Sequence, residues 1–366
     1  MASVVMALAS AGFVALLIQA LRPAALQVGL VDAPGGRKRH QGSIPLIGGV
    51  AIVLAFALSS LIFVPIVAPY RPLFVGLALL VIIGVMDDLR ELAPRNKLAH
   101  QFIAAVLMTS WGGNYLRDLG MLWGEAVFDL RDWGIPFTLF AALSVINAYN
   151  MSDGVDGLAG GWALITFAMM AYLGAATGQQ ELAAFSMILV GCLGGFLVFN
   201  LRHPWRQRAA VFLGDAGSMA IGFLVLWFSV ELTQPVEQGE MRVPPVVMLW
   251  VCGLALIDMF VVTLRRMSKR RNPLHADRTH LHHVLIRIGF SDRRVVFFLM
   301  LVNGLLGMIG IVGWHYGASE LVLFLCFLAL TGAYLYAASH AWRLSRFARR
   351  HLRRNGAAHR QQNTEQ

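Results

Sequence analysis

Apolar residues run along this chain in long unbroken blocks, and polar residues gather in the short connections between them. Eleven apolar runs lie near residues 4–21, 44–68, 72–86, 99–116, 135–151, 157–176, 182–201, 216–232, 243–264, 295–316 and 320–342. None alternates apolar and polar positions as a barrel strand does, so each run predicts a helix. About twenty apolar residues cross a hydrocarbon layer of ~30 Å. The runs share no fixed period, so no internal repeat is expected. The predicted fold is all-α: a polytopic integral membrane bundle of eleven transmembrane helices. It forms one domain over residues 1–342, followed by a basic tail at 343–366.

Composition agrees. The 366 residues are 57% hydrophobic and 14% charged, where a soluble domain is about a quarter charged. No basic residue precedes the first run, and the first is Arg22. A secretory signal has the opposite order, so this segment is expected to remain as a mature span.

Eleven spans sort the connections onto two sides. One side holds 26 Lys and Arg, in 22–43, 87–98, 202–215, 265–294 and the tail; the other holds Arg71, Arg117, Arg131 and Arg242. Basic residues stay on the cytoplasmic side. The N-terminus is therefore predicted outside and the C-terminus in the cytoplasm. The net charge of +10 lies beside spans, which points to the lipid bilayer and anionic substrates as partners and not to nucleic acid. Cys192, Cys252 and Cys326 each sit inside an apolar run and form no C-x-x-C pair, so they are packing residues.

The chemistry-bearing residues all fall on the basic side, in loops near 22–43, 87–98, 150–157, 202–216 and 265–294. Asp87 and Asp88 end the third run; Asp153 and Asp156 sit in "NAYNMSDGVDGLAGG"; Asp215 sits in "FLGDAGS". Acids gathered in one place raise each other's pKa unless a cation intervenes. Carboxylates without Cys ligands favour Mg²⁺, with Mn²⁺ as the alternative. Mg²⁺ takes only one or two carboxylates and completes its shell with water and phosphate, which suggests a phosphate-bearing substrate. Lys97, Arg278 and the cluster Arg37-Lys38-Arg39 offer cations for phosphate oxygens.

"DRTHLHH" contributes His280, His282 and His283. Zinc, substrate phosphate or nucleotide, and a structural cluster are the three readings. If the segment is helical, His280 and His283 share a face and His282 does not. Acids within spans also mark ion pathways, so a cation-coupled transporter is the alternative class; a non-catalytic lipid-binding scaffold is a third, but it would not need these acids.

Taken together in order, "VDAPGGRKRHQGSIPLIGG", "MDD", "NAYNMSDGVDGLAGG", "FLGDAGS" and "DRTHLHH" resemble the polyprenyl-phosphate N-acetylhexosamine-1-phosphate transferases, from about Val31 to Ile288. The His-x-His-His pattern and "GRKRHQGSIPLIGG" are more similar to the branch using UDP-N-acetylglucosamine and undecaprenyl phosphate than to the phospho-muramoyl-pentapeptide branch. The resemblance implies transfer of N-acetylglucosamine-1-phosphate to the lipid phosphate with release of UMP, at the cytoplasmic face of a bacterial inner membrane. This is the first lipid-linked step of a cell-surface polysaccharide. It also implies roles. Asp87 and Asp88 match the catalytic acid pair, and Lys97 a lysine near the phosphates. Asp215 matches the metal-binding aspartate and Asn200 an asparagine that helps hold the metal. Asp153 and Asp156, with Asn150 beside them, match cleft residues that contact the nucleotide sugar. His280, His282 and His283 match a loop closing over the substrate. Direct transfer and a route through an aspartyl-phosphate both remain open, as does a homodimer. Asp258, inside the ninth run, has no assigned role; it is expected to orient the basic stretch beginning at Arg265.

Overall fold

A computed structural model describes residues 2–32, 43–124, 126–202, 206–234, 242–270 and 280–340. Every apolar run becomes helical. The helices are α1 (Ala2–Val28), α2 (Gly48–Phe63), α3 (Arg71–Arg90), α4 (Pro94–Val106), α5 (Gly134–Ser152), α6 (Leu158–Thr177) and α7 (Gln180–Asn200). They continue with α8 (Gly214–Thr233), α9 (Pro245–Val251), α10 (Gly253–Ser268), α11 (Leu281–Ile288), α12 (Asp292–His315) and α13 (Glu320–Ser339). A short antiparallel pair joins β1 (Val31–Asp32) to β2 (Ile44–Pro45). The basic cluster 37–39, Arg278 and the tail lie outside the described residues.

Among the described residues, eight helices are long and apolar enough to cross a membrane, or nine if the bent α9–α10 pair is one span. The chain is a multi-pass helical membrane protein. Two of the eleven runs give shorter helices. α2 has 16 residues, and α4 has 13 before a π-helical turn at Leu107–Trp111. The ninth run is not one straight helix: α9 and α10 meet at Cys252 with an 81° bend. No charge marks that break, and the only local signal is Gly253.

α8 is the centre of the bundle, with 17 of its 20 residues buried. α2, α3, α5 and α6 pack around it. By contrast, α13 buries only Leu323 and Phe327, as expected for an outer helix facing lipid. Two close approaches fix the inner helices. Gly49 on α2 lies against Gly217, and Gly84 on α3 lies against Ala216; a methyl group at either would collide with the α8 backbone. Small residues let membrane helices approach in this way. The α7–α8 connection is then tied to the β-pair by Phe212 N–H donating to the Pro45 carbonyl at 2.9 Å.

Candidate active site

α3 runs through both of its acids and ends one turn later. The chain turns at Glu91, whose φ of 46° is left-handed, and re-enters helix at Pro94. Asp87 helps make that turn, because its Oδ1 accepts a 2.6 Å bond from Leu92 N–H. The turn carries Lys97 back over the end of α3. There its Nζ pairs with Asp87 Oδ2 and with Asp215 Oδ2 at 2.7 Å. Burial alone would lower the Lys97 pKa, but Asp215 and Asp87 outweigh it and hold the pKa above its ordinary value. Lys97 is a fixed cation between two carboxylates.

Asp215 opens α8. Asn150, near the end of α5, donates to Asp215 Oδ1 at 3.0 Å and to Ser218 Oγ at 3.0 Å. Asp88 Oδ1 accepts the Asp215 backbone N–H at 3.1 Å. Gly214 makes that contact feasible: its φ is +72°, and a Cβ there would lie 2.6 Å from Asp88 Oδ2. Asp88 Oδ2 itself is buried and has no hydrogen-bond partner among the described residues. A buried unpaired carboxylate oxygen is costly, so a ligand is expected to use it.

These groups face a cleft of ≈ 1400 Å³ whose described walls come from Val31, Asp32, Ile44 and Leu46, from residues 87–92 with Lys97, from 153–156, and from Asn200, Arg202, residues 207–209, Phe212, Gly214, Asp215 and Asp292. Small-molecule pockets usually measure about 300–1,000 Å³, so this one has room for two substrates. Asp87, Asp88, Lys97, Asp153, Asp156, Asn200 and Asp215 all line it. Asn150 stands behind Asp215 and acts through it.

Two acids of the Gly-rich segment have different fates. Asp156 is bound by Arg202 Nε at 2.7 Å, and Arg202 Nη1 also holds Asp292 at 2.9 Å. Asp153 opens into the cleft but is deep in surrounding protein. That desolvation, with the charges of Asp215, Asp88 and Asp156, pushes its carboxyl up to about 8. The residue is exposed at the cleft. Arg202 was not anticipated from the sequence; its position two residues after Asn200 was the available signal.

Asn200 is buried and employed by backbone. Its Oδ1 accepts Gly157 N–H at 2.7 Å and its Nδ2 donates to the Val211 carbonyl at 2.9 Å. It thereby joins the α5–α6 turn to the α7–α8 connection, with one Oδ1 lone pair left over.

The histidines do not follow helical spacing. His280 precedes α11 with extended backbone, so it is His280 and His282 whose rings stack, 5.9 Å apart and 7° from parallel. The expectation that His280 and His283 share a face fails because the helix begins one residue later. Neither His280 nor His282 lines the cleft; His282 lies behind Gly154. Asp258 bonds His280 and Leu281, at the far end of the stretch that begins at Arg265, and also the Tyr334 hydroxyl on α13. Among the described residues no three His, Cys, Asp or Glu groups converge as an all-protein metal cage. Asp88 and Asp215 instead offer the one or two carboxylates that Mg²⁺ shares with phosphates.

A sequence profile described as Glycosyl transferase family 4 matches residues 70–233, the stretch holding all these acids except Asp258 and Asp292. The chain is also 36% identical over 334 residues to an undecaprenyl-phosphate alpha-N-acetylglucosaminyl 1-phosphate transferase of Yersinia pestis, covering 91% of this chain and 90% of that one. The chain belongs to glycosyl transferase family 4. A protein of the same description from Escherichia coli K12 is 36% identical over 349 residues, covering 94% of both chains. One from Haemophilus influenzae is 37% identical over 335 residues, covering 91% and 93%. The matched profile begins at the start of α3 and ends with α8, so the family's shared segment coincides with the helices that carry Asp87, Asp88 and Asp215.

Proposed function

We propose that the chain transfers N-acetylglucosamine-1-phosphate from UDP-N-acetylglucosamine to undecaprenyl phosphate, releasing UMP. The carrying observation is Lys97 held between Asp87 and Asp215 beside the unpaired Asp88 oxygen, in a cleft large enough for both substrates. The relatives' names supply the substrate pair. The sidedness of Lys and Arg supports eleven crossings with the cleft in the cytoplasm of an inner membrane, where a nucleotide sugar is available.

The chemistry joins two anions. The acceptor phosphate, with a second pKa near 6, is mostly doubly ionised near pH 7 and needs little deprotonation. One of its oxygens attacks the phosphorus next to the sugar; the bond from that phosphorus to the bridging oxygen breaks, and UMP leaves with the electron pair. Lys97 screens the approaching phosphate charges. Asp88, fixed by the Asp215 backbone N–H, keeps Oδ2 available to accept the proton of the acceptor's singly ionised form. Arg202 holds Asp156 in the cleft wall, and Asp153 stays open to contact the nucleotide sugar. Asp215 and Asp88 would hold Mg²⁺, or Mn²⁺, with the spare Asn200 lone pair nearby. When bound, that ion neutralises pyrophosphate charge and the charge developing on UMP.

The test uses purified full-length protein in nanodiscs. UMP release is expected only with UDP-N-acetylglucosamine, undecaprenyl phosphate and Mg²⁺ together. Turnover that persists in EDTA would remove the metal. Faster turnover with UDP-N-acetylgalactosamine would reassign the sugar.

A further inference from the structure

The transferase chemistry leaves one buried acid unused. Asp258 lies in α10, on the far side of the break at Cys252, and is 3% exposed. It does not line the cleft, so it does not meet substrate. Both oxygens are nevertheless occupied. Oδ2 faces His280 Nδ1 at 2.9 Å, while Oδ1 accepts Leu281 N–H at 3.0 Å and the Tyr334 hydroxyl at 2.6 Å. Its three partners come from two other parts of the chain: the start of α11 and the outer helix α13.

α11 needs such an anchor. It is eight residues long, and His282 is its only buried residue. Isolated helices shorter than about 12 residues are marginal. Asp258 satisfies the first free N–H of α11, which would otherwise lack an acceptor. It also fixes the ring that precedes the helix: a carboxylate only accepts, so it selects the His280 form with a proton on Nδ1. His282 stacks on that ring. Among the described residues His282 Nε2 is buried without a partner, directed at Gly154, where a Cβ would come within 2.7 Å. Gly154 and Asp153 form the cleft wall.

We propose that Asp258 and Tyr334 are positioning residues: together they brace His280 and the start of α11, and so hold His282 against the Asp153–Gly154 wall of the cleft. The outer helix α13 thereby takes part in shaping the nucleotide-sugar end of the site. The kinetic consequence rests on the proposed transfer reaction; the brace itself does not.

The experiment has separate readouts for the two. In nanodisc-embedded full-length protein, hydrogen exchange of amides 281–288 is measured in wild type, Asp258→Asn and Tyr334→Phe. Asp258→Asn is expected to raise exchange across the segment, and Tyr334→Phe to raise it less. UDP-N-acetylglucosamine affinity is then measured for Asp258→Asn, His280→Gln and the double variant. Each single change is expected to weaken affinity about tenfold, the size of one lost hydrogen bond to a charged group. The double variant should lose less than about twofold more, because both act through one element. Unchanged exchange at 281–288 in both variants, or fully additive affinity losses, would overturn the brace. If Asp258→Asn does not fold, the exchange of Tyr334→Phe decides alone. A wild type without turnover on UDP-sugars refutes the transfer reaction and leaves the exchange result for the brace intact.

Discussion

The spacing of α3 from α8 offers the sharpest test of how packing sets the chemistry. Gly84 lies one helical turn before Asp88, on the same face of α3. A Cβ at Gly84 would collide with Ala216 and sit 2.8 Å from the Asp215 carbonyl carbon. Ordinary carbon contacts begin near 3.4 Å. Gly84→Ala must therefore part the helices by about 1.2 Å, the difference between 3.4 Å and the 2.2 Å that would separate its Cβ from the Ala216 Cα. The bond from Asp215 N–H to Asp88 Oδ1, now 3.1 Å, would stretch to about 4.3 Å, beyond hydrogen-bond range. A bond to a charged acceptor is worth about 1.5–3 kcal/mol. If the transition state relies on that carboxylate position, kcat falls about ten- to a hundredfold.

Overpacking also costs about 1–3 kcal/mol of stability, so activity and Tm must be measured together. Initial rates of UMP release at saturating substrates give kcat, and intrinsic fluorescence gives Tm. Gly332→Ala is the control, since nothing lies within 4 Å of a Cβ there. A Gly84→Ala enzyme with kcat within about threefold of wild type would refute the coupling of helix spacing to Asp88. So would an equal loss in the control.

Three further outcomes follow from the same geometry. Lys97→Met should lower kcat about 10²- to 10³-fold, the scale for losing one electrostatic donor, and Lys97→Arg should recover part of it; a loss under about tenfold would mean that the cation between Asp87 and Asp215 is only structural. Arg202→Ala frees Asp156 beside the bound nucleotide sugar and should raise KM for UDP-N-acetylglucosamine about tenfold with a smaller change in kcat; an unchanged KM would place Asp156 outside the binding site. His282 provides a pH signature: burial, then His283 and His280, against the opposing pull of Asp258, lowers its pKa to about 3. Its folded pKa is depressed, so the unfolded chain takes up the proton first. Stability from keeping it neutral is complete above pH ~6.5 and falls by about 1.4 kcal/mol for each unit below that. Wild type should therefore lose Tm more steeply than His282→Gln between about pH 6.5 and 5, and parallel curves would show that His282 is not buried neutral.

Much of the fold was legible because apolar runs set helix positions directly. All eleven reappear as helix, including the short α2 and the π-terminated α4. The bend at Cys252 was not legible, since hydrophobicity continues through it and one glycine is a weak signal. The acids at 87, 88, 153 and 215 and Lys97 converge as their chemistry suggested. The pairing of Asp156 with Arg202 and of Asp258 with His280 was hidden. Those partners are 46 and 22 residues apart, and no local pattern links them. The histidine register was misread for a simpler reason: helical spacing applies only inside a helix, and His280 is just outside one.

The structure separates these acids by how much of each is already committed, and that separation constrains their roles. Asp258 is fully bonded within the bundle and cannot meet substrate. Asp156 is balanced by Arg202. Asp87 gives one oxygen to the backbone of Leu92 and the other to Lys97, so it shapes the turn that delivers the cation. Asp215 is held by Lys97 and Asn150, which fixes its carboxylate in place. Among the described residues, only Asp88 of these acids keeps a buried oxygen without a partner, and Asp153 is the most exposed of those that line the cleft. A group that must interact with an incoming phosphate needs free acceptor or coordinating capacity in a fixed place. Asp88 meets both conditions, because its second oxygen is pinned to the Asp215 backbone. The matched acids 87 and 88 are therefore unequal: Asp87 is committed to the Leu92 turn and to Lys97, and Asp88 keeps one oxygen uncommitted.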